Sequence, residues 1–129
     1  MAARLGKWES RLAQFVESNR ATPFKWGHHD CATFACKCIE VITGEYPIEE
    51  RWASKGKAMR LIQERSLTDR ASDHFPQIDV NLAQRGDLVA TMTDDGIALG
   101  IFLSPVAVFA SKDGLSFRRR SELLKAWKV

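Results

Sequence analysis

Two imidazoles, a carboxylate and a thiol fall at four consecutive positions, His28-His29-Asp30-Cys31, inside the stretch Trp26-Gly27-His28-His29-Asp30-Cys31-Ala32-Thr33. Asp30 is a good helix N-cap, which places Cys31 on the first turn of a helix. The N-terminal end of a helix carries roughly half a positive charge, and that field favours thiolate over thiol. Cys31 is therefore a candidate nucleophile, with His28 or His29 as candidate base, because a thiol attacks well only when a neighbouring group takes its proton. Asp30 could fix the tautomer of that base if it is not spent as a cap. Blander readings stand beside these. A free cysteine is often a small buried hydrophobe, and both histidines could be solvated or packed beside Trp26. His74, in Ser72-Asp73-His74-Phe75-Pro76, is a third imidazole that another segment could bring up.

Metal chemistry is a poor fit. Cys31, Cys36 and Cys38 share one predicted helix, in which each residue turns about 100° and rises about 1.5 Å. Cys31 and Cys38 share a face about 10 Å apart, and Cys36 points some 140° away. They cannot close a zinc site together, so neither a metal nor any other cofactor is expected. An odd count of three cysteines also excludes a complete intrachain disulfide framework and favours reduced thiols.

The elements that must position Cys31 can be read from periodicity. Leu5, Trp8, Leu12, Phe15 and Val16 predict an amphipathic helix over residues 4 to 19. A second helix runs from Asp30 to residue 43, with Gly44 as its C-terminal cap. Phe34, Ala35, Cys38, Val41 and Ile42 share the Cys31 face, while Cys36 lies off it. A third helix is expected over 54 to 65, with Ala58, Leu61 and Ile62 inward. Residues 66 to 84 show no clean repeat and read mostly as loop. Strands follow at 87 to 92, 98 to 103 and 106 to 111, with turns at Asp94-Asp95-Gly96 and Lys112-Asp113-Gly114. Leu115-Ser116-Phe117 follows, then a short helix or strand ending in Ala126-Trp127-Lys128-Val129. Helices first and antiparallel strands later predict a segregated α+β fold in a single domain spanning 1 to 129.

Composition sets outer limits. The 129 residues are 45% hydrophobic and 27% charged, which suits one globular domain rather than a disordered or fibrous chain. A net charge of +3 is too small to imply nucleic acid. Arg118-Arg119-Arg120 would alternate faces in an extended segment and reads as a solvated edge. No apolar run nears the roughly 20 residues of a membrane-spanning helix, and the start lacks the apolar segment of a signal peptide. Trp26 and Trp127, in a loop and near the C-terminus, stand where tryptophan often marks an interface.

Gly27-His28-His29-Asp30-Cys31 resembles the nucleophile motif of the NlpC-type cysteine endopeptidases, papain-fold enzymes that cut bacterial cell-wall peptides. Arg85-Gly86-Asp87-Leu88-Val89 resembles their Gly-Asp-Leu strand start. Ala98-Leu99-Gly100-Ile101-Phe102-Leu103 is similar to their His-Val-Gly-Ile-Tyr-Leu strand, and Val108-Phe109-Ala110-Ser111 to their Ile-His-Ala-Ser segment. Order and spacing agree from about residue 24 to 117. The pattern is closer still to a small phage- and prophage-encoded branch of that superfamily, found among tail genes.

The resemblance implies a papain-like NlpC-type fold, with N-terminal helices packed on an antiparallel sheet. It also implies that the superfamily's catalytic histidine falls at Ala98 and its orienting polar residue at Phe109. Neither side chain can carry a proton. The resemblance with these departures leads to the expectation of a tail-associated structural or assembly protein in which hydrolysis is lost. Its implied partners are other tail or tail-tip proteins, with peptidoglycan as a further one; a small basic nucleic-acid-binding module is a third and weaker reading of the charge. Its implied location is the host cytoplasm during assembly and then the virion tail. The alternative is an active peptidoglycan endopeptidase using Cys31 with His28 or His29.

Overall fold

The computed structural model describes residues 3–48 and 50–129. Among the described residues four α-helices come first: α1 (Trp8–Ser18), α2 (Cys31–Thr43), α3 (Lys55–Glu64) and α4 (Leu67–His74). Six strands follow: β1 (Gln77–Ile78), β2 (Leu88–Thr93), β3 (Gly96–Phe102), β4 (Val106–Ser111), β5 (Gly114–Arg119) and β6 (Leu123–Trp127). They form one sheet in the order β1-β6-β2-β3-β4-β5, with every pairing antiparallel. The fold is α+β.

Helix α2 is the centre of the packing. Phe34, Ala35, Cys38 and Ile42 have no exposed surface, and Leu12 and Val16 of α1 join the same cluster. Its N-cap carboxylate accepts from Thr33 N–H at 2.8 Å. Its C-terminus closes on Gly44, whose φ of 84° is a left-handed turn that favours glycine. Val41, expected on the core face, is only half-buried. Cys36, expected off that face, is buried because the segment after α2 folds back over it, bringing the Ile48 backbone within hydrogen-bond reach of its thiol. A helix covered on this many sides must be apolar nearly all round, so its face could not be read from one stripe.

Helix α1 begins at Trp8 rather than residue 4, because the residues before it are used elsewhere. Leu5 N–H donates to the Ile42 carbonyl of α2 at 2.7 Å, and Arg4 reaches Asp87 at 3.0 Å. The expected loop over 66 to 84 is corrected to a helix, a strand and a 3₁₀ turn (Val80–Leu82). Helix α4 buries only Leu67 and Ala71, one pair four residues apart, which is too little for a periodic signal. Its Ser66 cap, accepting from Asp69 N–H at 3.1 Å, was the legible sign.

Both faces of the central strands are apolar. Leu88, Ala90, Leu99, Ile101, Val108 and Ala110 face the helices. Val89, Ala98, Phe102, Ala107 and Phe109 form a second cluster on the other side. The two predicted turns are two-residue hairpin loops, closed by the pairs Thr93↔Gly96 and Ser111↔Gly114. The C-terminal segment is a strand, β6, inserted between β1 and β2. Trp127 is fully buried, with its indole N–H on Ser72 Oγ at 2.9 Å, so it anchors the core instead of marking an interface.

The arginine run divides. Arg118 and Arg119 lie on the edge strand β5 and pair with Glu122. Arg120 turns inward, donates to the carbonyls of Val80 and Ala83, and lies 4.4 Å over the Phe102 ring. No helix among the described residues is long and apolar enough to cross a membrane.

Candidate functional site

Asp30 organises the entrance to α2. One carboxylate oxygen accepts from Thr33 N–H, and the other accepts from Gly27 N–H at 2.8 Å and from the Trp52 indole N–H at 2.5 Å. The carboxylate is therefore consumed as cap and clamp, and neither histidine donates a hydrogen bond to it. Gly27, with φ 79°, lies so close to the Trp52 carbonyl that a Cβ there would sit 1.8 Å from the oxygen. Loop 24–30 and the Trp52 segment are thereby locked together. Trp52 is a positioning residue that sequence reasoning missed, since nothing local signals a partner 22 residues away.

Cys31 follows at the helix start, beside a cavity of about 750 Å³ that opens between α3, loop 24–30 and the hairpins of the sheet. That volume is in the range of ligand-sized pockets. Ala98 and Phe109 also line it, and Cys31 packs against the cluster that contains both. Thus the structure brings together Cys31, Ala98 and Phe109, from α2, β3 and β4. Trp26, Trp52, Met59, Met92 and Ile97 supply much of the remaining apolar wall.

The histidines lie elsewhere. His28 and His29 precede Cys31 directly in sequence, but neither lines the cavity. The His28 carbonyl accepts from the Lys37 ammonium at 2.7 Å. His29 is buried edge-on to Phe34, with centroids 5.6 Å apart, and its Nε2 has no hydrogen-bond partner. Burial and the nearby Lys37 both disfavour its protonation, outweighing the opposite pull of Asp30. His74 ends α4, tilted against Phe75, and does not line the cavity either. Among the described residues, no hydrogen bond joins Cys31 to an imidazole. No three His, Cys, Asp or Glu side chains among the described residues converge on a site for a metal ion.

A family model described as a domain of unknown function (DUF6950) matches residues 3–129. The chain belongs to that family. No curated protein matches it.

In this DUF6950 chain the electrostatics of Cys31 run opposite to the simple helix-end expectation. Burial pushes the thiol up to about 11, and the Asp30 carboxylate pushes the same way. A hydrogen bond from the Leu99 backbone pulls down without offsetting them. All three cysteines are free thiols, and Cys36 is raised as well, to about 12. The helix field is real, but desolvation of a thiolate costs more than half a charge returns at this depth. The expected result is slow alkylation of Cys31 by iodoacetamide at neutral pH, with the rate still climbing above pH 9. An alkylation midpoint at or below the ordinary thiol value of about 8.5 would contradict this.

Proposed function

We propose that this chain is a tail-associated assembly protein of a phage or prophage, built on a cysteine-peptidase-like fold whose hydrolytic chemistry has been lost. The observation that carries the reading is the floor of the cavity. Cys31 stands at the start of α2 against Ala98 and Phe109, the two positions where the resemblance places a base and its orienting group. Thiol-based hydrolysis needs a proton acceptor for the sulfur and a donor for the leaving amine. No side chain on this floor does either, and the thiol itself is held protonated at neutral pH. What remains is a binding cavity on a stable scaffold, suited to holding a partner.

Complementation tests this. In a prophage deleted for the gene, both the wild-type chain and Cys31→Ala are expected to restore infectious particles to the same titre. The purified protein is expected to release no peptide fragments from peptidoglycan. Fragment release that Cys31→Ala abolishes would overturn the proposal in favour of an active endopeptidase, with His28 or His29 recruited as base by a rearranged loop.

A further inference from the structure

The cavity beside Cys31 has two unlike walls. One is helical, with Lys55 at the start of α3 followed by Ala58, Met59 and Ile62. The other is made by the β2–β3 and β4–β5 hairpins, whose turns are tied together by the Lys112–Asp95 ion pair at 3.5 Å. Most charges around the cavity are already satisfied. Arg70 is paired with Glu50 at 2.6 Å, Arg118 with Glu122 at 3.6 Å, and Asp30 is saturated by N–H donors. Three charges are left without an ion pair among the described residues: Asp94 and Asp113, one in each hairpin turn of the sheet wall, and Lys55 on the opposite, helical wall. On a chain whose net charge is +3, the sheet wall of this cavity therefore presents unpaired negative charge above an apolar floor.

We infer that the cavity is the docking site for an extended segment of a partner protein, one that places an aliphatic or aromatic anchor over Ala98 and Phe109 and a lysine or arginine against Asp94 and Asp113. This rests on the assembly reading and names the chemistry of the partner. The volume suits a few side chains rather than a folded surface. Trp26 and Trp52 form rigid aromatic walls, and Met92, 55% exposed, gives an adaptable rim. The two free carboxylates outnumber the single free ammonium of Lys55, which stands on the opposite wall. The sheet wall therefore favours a cationic segment over an anionic one and fixes the direction in which it lies.

The probe is a pair of blocked peptides, acetyl-Leu-Phe-Lys-Lys-amide and acetyl-Leu-Phe-Glu-Glu-amide, titrated into the full chain labelled with ¹⁵N. The lysine peptide is expected to shift the amides of Trp26, Asp94, Ile97 and Asp113 and to bind about fivefold or more tightly than the glutamate peptide. The double variant Asp94→Asn/Asp113→Asn, altered only in exposed turns, should unfold at the wild-type temperature and lose that preference. Equal binding of the two peptides, shifts confined to other surfaces, or no shifts at millimolar peptide would overturn the inference. So would shifts that track protein concentration without peptide, which would mean that a second copy occupies the cavity. The two proposals fail separately. Peptide selectivity can vanish while Cys31→Ala still supports particles, and fragment release from peptidoglycan would defeat the assembly reading whatever the peptides do.

Discussion

Asp30→Ala is expected to lower the unfolding free energy by about 4–7 kcal/mol. Loss of the N-cap alone costs about 1 kcal/mol. The same carboxylate also holds Gly27 N–H and the Trp52 indole, and hydrogen bonds to a charged acceptor are worth about 1.5–3 kcal/mol each. The variant leaves those part-buried donors without their acceptor at the edge of the cavity. Chemical denaturation measures the loss. Tryptophan fluorescence should show Trp52 becoming more solvated even below the unfolding transition. Asp30→Ser, which can still cap, should recover about 1 kcal/mol and leave Trp52 loose. A loss below about 1 kcal/mol for alanine would mean that the three contacts are not cooperative, and Asp30 would be a simple cap.

The second large effect is at Asp87, a fully buried carboxylate between Arg4 and Val129. It accepts from Arg4 at 3.0 Å, from Val129 N–H at 3.2 Å and from Gln84 N–H at 2.9 Å, and Lys128 lies 3.8 Å away. Arg4 also donates to the Val129 carbonyl and to that of Arg85. Removing one member of a buried ion pair strands the other and typically costs about 3–5 kcal/mol. Asp87→Ala should therefore lower the melting temperature by about 10–18 °C for a domain of this size. Asp87→Asn, which keeps one acceptor, should lose less. If Asp87→Ala and Arg4→Met destabilise additively in a double-mutant cycle, the pair is not coupled and the C-terminal strand is held by β6 pairing alone.

These two carboxylates show where the sequence was legible and where it was not. Asp30 declared itself as an N-cap because capping is local, decided within three residues of chain. Its hold on Trp52 did not, because that contact spans 22 positions and exists only once loop 24–30 has folded over. Asp87 stood in a recognisable strand-start segment, yet two of its partners, Arg4 and Val129, lie 83 and 42 residues away. The misread elements share a cause. Helix α4 and strand β1 bury too few residues to show a period, and Trp127 belongs to a strand that is ordered only by insertion between two others.

By itself the sequence determined the α+β order of elements, the caps of α2 at Asp30 and Gly44, the turns at Asp94-Asp95-Gly96 and Lys112-Asp113-Gly114, and the position of Cys31 at a helix start. Each of these is set by contacts a few residues long. Only the tertiary structure decided what Cys31 can do. It packed the thiol against Ala98 and Phe109, turned His29 toward Phe34 and left His28 away from the cavity, and withdrew enough water to raise the thiol to about 11. A helix-end field can be read from the chain, but desolvation depends on every neighbour that folding brings in, and at this position desolvation is the larger effect.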